Sequence, residues 1–340
     1  MKQAVLEAPQ KFEIREVPKP VPDDDEALIR VRAMGICGSD IHAYYGKHPF
    51  IHCPIVPGHE ISGEVVETGK NVSGLKAGDR VVLRPQKVCG ECYPCRTGRY
   101  NICEKLEVLG CQETGGCSDY FAAKGDLLYR IPDSVDFAEG TVIEPLAVGV
   151  HAAKRGLADF KGKKVLVIGA GTIGNLVAQS VKGLGASQVM ITDVSDFRLE
   201  MAKKCGIPYA VNVKTADLKQ AAEDYFGPDG MDAVYECSAN ESALNQVLNI
   251  ARKGIPIVIV GVFGNQANIN LANVQDREYQ LIGTLMYRHD DYLEAIRLVE
   301  EGKVDLKTLI SKKFDMTQIA EAFKYIERYK DTVQKVILSI

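Results

Sequence analysis

Apolar positions fall into two regimes along the chain. In the first, they come as short β-branched runs. Residues 27–33 alternate apolar and charged side chains, as a half-buried strand does, and 61–67 and 80–83 are further runs of the same length. Glycine-bearing turns at 71–74 and 76–79 separate them. Short strands at this spacing predict a small barrel or sandwich. Near residue 150 the period changes. Residues 164–168 read KVLVI, a run with the length of a buried strand, followed by a glycine-rich turn and a helical pattern over 172–184. A strand over 188–192, a helix over 196–204, and strands at 233–236 and 255–261 around a helix at 241–251 complete the alternation. Strand and helix in turn predict a parallel sheet of α/β class. Residues 279–340 add a strand, two or three helices and a terminal strand, VQKVILSI. The chain therefore divides at 1–149, 150–278 and 279–340, with no internal repeat and no low-complexity linker.

Composition narrows the class of protein. A chain of 340 residues exceeds one ordinary hydrophobic core, so two domains are expected. With 46% hydrophobic and 25% charged residues it has the make-up of a soluble globular protein. The net charge of −4 comes with no block of like charge that stands out, which argues against a nucleic-acid or membrane-surface partner. The opening MKQAVLEAPQKFEIRE lacks the apolar core of a signal peptide, and no run reaches the ~18 apolar residues of a spanning helix, which points to a cytoplasmic protein. In such a reducing compartment, clustered cysteines are metal ligands more often than disulfide partners.

The turn after 164–168 carries G-x-G-x-x-G at Gly169, Gly171 and Gly174. The pattern alone is weak, but here a strand precedes it, a helix follows, and Asp193 ends the next strand 19 positions after Gly174. Gly169 permits the tight turn, Gly171 lets backbone approach a pyrophosphate, and Gly174 lets the helix pack on the strand. Thr172 and Ile173 open that helix, whose free N–H groups and positive dipole end suit phosphate. Asp193 accepts from adenosine ribose hydroxyls and repels a 2′-phosphate, which favours NAD over NADP; Arg198 is a further candidate beside it.

Cys89, Cys92, Cys95 and Cys103 have the spacing C-x2-C-x2-C-x7-C. Four thiolates in one short loop suit a tetrahedral Zn²⁺ with no open position, which makes the ion structural. The first three cysteines share a ferredoxin-like spacing, but the x7 gap and the absence of a following proline argue against an iron–sulfur cluster. Cys53, Cys111, Cys117, Cys205 and Cys237 have no ligand spacing and read as small buried hydrophobes.

The motifs GICGSDIH at 35–42, PGHE at 57–60, the cysteine loop, IEPLAVGVHA at 143–152 and the glycine turn occur in one order across essentially the whole chain. In that order the chain resembles the zinc-containing medium-chain dehydrogenases, in particular their sorbitol, threonine and sugar-acid (L-galactonate-like) branch. The resemblance implies a GroES-like β-rich catalytic domain over 1–149, a doubly wound Rossmann domain over 150–278, and a return segment, 279–340, completing the catalytic domain. It implies a catalytic zinc on Cys37 and His59, with Glu60 or Glu144 as the third protein ligand and one position open for substrate or water. Ser39 matches the hydroxyl that contacts the substrate oxygen, and His42 the relay that passes the proton toward solvent. Asp40 is expected to accept a hydrogen bond from His59 and orient its ring.

The implied activity is reversible, zinc-dependent, NAD-linked oxidation of a secondary alcohol on a polyol or sugar acid. The implied assembly is a homo-oligomer, dimer or tetramer. For the small hydroxylated substrate, Tyr44, Tyr45, His48 and Phe50 follow the catalytic motif and are expected to line the cleft; Tyr287, Arg288 and His289 follow a later strand. Tyr45, Arg288 and His289 are the candidate substrate contacts, with Arg288 suited to a carboxylate. Threonine, another amino alcohol or a simple secondary alcohol is the alternative substrate. Zinc-free quinone reductases generally lack the Cys37–His59 pair and the cysteine loop. A non-enzymatic zinc-binding module would rest on that loop alone and would need a basic face.

Overall fold

Residues 27–29 are all buried and burial alternates only from Ile29 to Ala33, because the strand Glu26–Gly35 lies at the centre of its sheet. The computed structural model describes residues 1–340. It divides into two compact units, one of Met1–Glu144 with Ile310–Ile340 and one of Pro145–Leu309. In the first, seven strands share a sheet whose path runs Ile310–Asp315, Lys335–Ser339, Glu26–Gly35, Glu60–Thr68, Arg80–Leu83 and Leu128–Arg130, with Tyr120–Lys124 also pairing with Glu26–Gly35. Its core gathers Ile29, Val31, Met34, Ile61, Val65 and Leu338, all nearly inaccessible to water. Glu26–Gly35 is the central strand. It pairs antiparallel with Lys335–Ser339, setting Ile337 opposite Gly35, and with Glu60–Thr68, setting Gly35 opposite Glu60.

The second unit is a six-stranded parallel sheet ordered Tyr209–Asn212, Gln188–Asp193, Lys164–Ile168, Ala233–Glu236, Pro256–Ile259, Gln280–Gly283. Within the unit this is strand order 3-2-1-4-5-6, the doubly wound arrangement whose ligand site lies beyond the carboxyl ends of the strands at the order reversal. Apolar strands without alternation are what such a sheet requires, because helices cover both faces. Several of the unit's helix starts are marked by side-chain caps. Ser195 accepts from the Arg198 N–H at 3.4 Å, Asp217 from Gln220 at 2.8 Å and Asn240 from Ala243 at 2.9 Å.

The return to the first unit begins at Ile310, where the sequence pattern sets it at 279. The strand Gln280–Gly283 hydrogen-bonds to Pro256–Ile259 and extends the parallel sheet. The helix His289–Glu300 is tied to the same unit by Asp291, whose carboxylate meets His151 Nδ1 at 2.7 Å. No helix is long and apolar enough to cross a membrane.

Candidate active site

Strand register builds the first cluster. Because Gly35 lies opposite Glu60 on antiparallel neighbours, the residues leaving the same end of both strands, Cys37 and His59, come side by side. Cys37 caps the helix Gly38–Tyr44, and its N–H donates to Asp40 Oδ2 at 2.8 Å. Gly58 turns the chain into His59 at φ 113°, and a Cβ there would stand 2.8 Å from the Cys117 nitrogen, so only glycine fits. The ligand atoms of Cys37, His59 and Glu60 lie within 4.8 Å of one another, with His59 and Glu60 buried. One thiol, one imidazole and one carboxylate make the three-ligand set of an open zinc site, so the residues present fit the ion. Glu144, buried in the first turn of the helix Ile143–Gly156, is not among these three.

Burial alone would push the His59 pKa down. The Asp40 charge and the Cys111 and Cys37 thiols outweigh it, leaving the imidazole well above its ordinary value. The expected Asp40–His59 hydrogen bond is not formed, because Asp40 Oδ1 is 3.7 Å from His59 Nδ1 and its other oxygen is taken by the Cys37 N–H. Ser39 is half-buried and His42 exposed on the same helix.

The four-cysteine loop forms a second cluster. A one-turn helix, Tyr93–Arg96, carries Cys95 behind its cap Cys92, and the short turn Tyr100–Ile102 delivers Cys103. Sulfur–sulfur separations are 3.5 Å for Cys103–Cys89, 3.8 Å for Cys92–Cys103 and 3.9 Å for Cys89–Cys95. A tetrahedron with ~2.3 Å zinc–sulfur bonds has edges of about 3.8 Å, so this donor set also fits. Backbone N–H groups of Cys92 and Glu91 pull the Cys89 thiol down to about 6, whereas burial and the neighbouring thiols push Cys95 up to about 12.

The glycine turn belongs to the second unit. Gly169 holds φ 92°. A Cβ at Gly174 would lie 1.8 Å from the Gly169 carbonyl, whereas one at Gly171 would meet nothing within 4 Å. The protein's own packing therefore requires Gly174 but leaves open the space beside Gly171, at the N-terminus of the helix Thr172–Gly183, where Thr172 and Ile173 begin. Asp193 closes the turn. Its Oδ2 accepts from the Ala170 N–H at 2.7 Å, and its Oδ1 from Val194 at 2.7 Å and Ser195 at 2.9 Å. The Arg198 guanidinium stands 3.9 Å from Oδ2.

Comparison with known proteins gives the family. Residues 23–133 match the alcohol dehydrogenase GroES-like domain, and residues 172–301 match the zinc-binding dehydrogenase family. Sorbitol dehydrogenase of Bacillus subtilis (strain 168) is 32% identical over 99% of the chain and 97% of its own length. The chain belongs to the zinc-binding alcohol dehydrogenases. L-galactonate-5-dehydrogenase of Escherichia coli (strain K12) is 33% identical over 94% of the chain and 93% of its own length. An alcohol dehydrogenase from E. coli CFT073, solved with the cofactor NADH, superposes with TM-score 0.91 at 29% identity, covering 100% of this chain and 99% of that one.

Several residues expected to line the dehydrogenase's substrate cleft pack within their own units. Tyr44 is buried, stacked on Phe12 at 5.6 Å and tilted against Phe323 at 4.9 Å, so it is core. Tyr45 packs edge-on against Tyr44 at 5.2 Å, and burial pushes its hydroxyl pKa up to about 12. Tyr287 is fully buried against Tyr292. His48 is half-buried and Phe50 exposed. Arg288 caps the helix His289–Glu300, with its Nε 3.8 Å from the Asp291 carboxylate, so that charge is partly neutralised within its own unit.

Sequence reasoning missed two residues. Cys111, read as an inert hydrophobe, places its sulfur 3.9 Å from His59 Nδ1. Lys335, read only as part of the terminal strand, is buried with its ammonium 2.7 Å from each Glu60 oxygen. The one available signal was a lysine inside an otherwise apolar run, which must be paired to be buried.

Proposed function

We propose that this dehydrogenase oxidises a secondary alcohol carbon of a polyol or sugar acid to the ketone, reversibly, with NAD as hydride acceptor and zinc at Cys37, His59 and Glu60. The observation that carries the reading is the convergence of those three donors at the ends of paired strands. The cysteine loop holds a second, structural zinc. When bound, the catalytic metal supplies Lewis acidity toward the alcohol oxygen, and the dinucleotide accepts the hydride.

The chain's own residues supply the rest. Ser39 Oγ accepts a hydrogen bond from the substrate hydroxyl, and the exposed His42 imidazole takes up the proton released and passes it to water. Asp40 opposes the positive charge of the site through its 3.7 Å approach to His59. Thr172 and Ile173 offer N–H groups to the dinucleotide phosphates, and Asp193 selects the unphosphorylated ribose. The sorbitol and galactonate dehydrogenases among the relatives support a polyhydroxylated substrate. Arg288 and His289 are the proposed distal contacts, and the absence of tryptophan speaks against a pocket for plain aromatic alcohols.

A screen of NAD reduction across polyols, aldonates, inositols, threonine and simple alcohols tests this. Turnover is expected with a polyol or aldonate. Better turnover of 1-butanol or benzyl alcohol than of any polyhydroxylated compound overturns the substrate class.

A further inference from the structure

Lys335 opens a strand that is buried from Lys335 through Leu338, and nothing in the expected chemistry uses it. Its partner lies two strands away. Lys335–Ser339 and Glu60–Thr68 both flank Glu26–Gly35, and Gly35 occupies the position between them. A Cβ on Gly35 would fall 2.1 Å from Glu60 Oε2. The missing side chain is therefore the opening through which the Glu60 carboxylate crosses the central strand to the ammonium. Lys335 Nζ sits 2.7 Å from Oε1, 2.7 Å from Oε2 and 3.3 Å from the Ile36 carbonyl. Those contacts give an ammonium acceptors for its three protons. Both groups are shut off from water, Glu60 at 0% and Lys335 at 4% exposure, so each depends on nearby charge for its neutralisation.

Glu60 thus has two claimants. Its carboxylate lies in the donor group with Cys37 and His59, and both of its oxygens are held by Lys335. We propose that Lys335 is a positioning residue that competes with the catalytic zinc for Glu60, serving as the carboxylate's counter-charge and so lowering the affinity of the site for its metal. The inference rests on the assignment of Cys37, His59 and Glu60 as that site. An ammonium and a divalent ion repel each other across a shared carboxylate, and charge donated to one is withheld from the other. Removing the lysine leaves a buried carboxylate whose remaining counter-ion is the metal.

The test is zinc affinity, measured by chelator competition on the full-length protein at neutral pH, with chelator-driven release as a second readout. K335M keeps length and apolar bulk while removing the charge. It is expected to hold the zinc about ten- to hundredfold more tightly, the size of one charge-assisted hydrogen bond released from competition, and to release it more slowly. The zinc-induced rise in Tm should also exceed that of wild type. K335R should restore wild-type affinity, and in an E60Q background K335M should change nothing. A merely structural lysine would instead weaken metal binding when lost. Unchanged or weaker affinity in K335M, or the same gain in the E60Q background, overturns the proposal. If K335M accumulates poorly, K335Q takes its place with the same criteria. C37S distinguishes the underlying assignment: zinc content should fall from about two to about one per chain. Two zincs retained in C37S would sink the metal-site reading itself, whatever K335M does.

Discussion

Replacing Asp193 by asparagine separates charge from shape at the ribose end proposed for the cofactor. A carboxylate offers about four lone-pair sites. Two on Oδ1 are taken by the Val194 and Ser195 N–H groups, and one on Oδ2 by Ala170. One site on Oδ2 remains, enough for a single ribose hydroxyl. A hydrogen bond to an ionised acceptor contributes about 1.5–3 kcal/mol, so its loss should lower kcat/KM for NAD roughly ten- to 150-fold. NADP should gain, because the charge that repels a 2′-phosphate is gone. The asparagine amide must also turn its NH2 toward either Ala170 or the Val194–Ser195 pair, setting donor against donor, at a cost of ~1–3 kcal/mol in stability. Initial rates with both cofactors on one preparation at saturating alcohol cancel that loss. The ratio of kcat/KM for NAD over NADP is expected to fall by at least about tenfold. An unchanged ratio would refute the argument and assign cofactor choice to another residue.

Three further outcomes follow from the geometry. Cys92→Ser breaks a closed four-sulfur set, so Tm should drop and zinc content fall, while the kcat of the remaining folded protein stays near wild type; a stable variant that lost only kcat would assign the loop a catalytic role. Gly174→Ala drives a Cβ into the Gly169 carbonyl, which should destabilise the second unit by ~1–3 kcal/mol and abolish NADH binding in a fluorescence titration; wild-type binding would contradict the turn's role. Burial raises the Asp291 pKa, but the His151 hydrogen bond and the Arg288 N–H outweigh it and hold the carboxyl below its ordinary value. A depressed folded pKa stabilises above the unfolded value and is lost as pH falls through the folded one, so stability should decline below about pH 4 with a slope that Asp291→Asn reduces. Equal acid slopes in urea titrations of the two proteins would count against this.

Local pattern carried much of the architecture. The strands Arg80–Leu83, Lys164–Ile168 and Ala233–Glu236 and the helix Asp196–Lys204 have the limits their periodicity predicts. Burial on one face or two, together with a cap, is written within a few consecutive residues. The cysteine loop was legible for the same reason, since all four ligands lie within a stretch short enough for spacing to imply proximity. So was the glycine turn, where strand, turn and helix are contiguous.

The proximity of Cys37 and His59 was legible only through the order of their motifs, because no local spacing brings the two together. The tertiary structure decided what lies around them. Pairing of Gly35 with Glu60 puts Glu60, and not Glu144, in the donor group. The chain's return from Ile310 places Lys335 against a carboxylate 275 residues away. Cys111 reaches His59 across 52 positions, and Tyr44 and Tyr287 are buried within their own units. Periodicity fixes which face of an element is buried. Which strands become neighbours, and in what register, is settled by packing the whole sheet, and that choice determines the company each buried charge keeps.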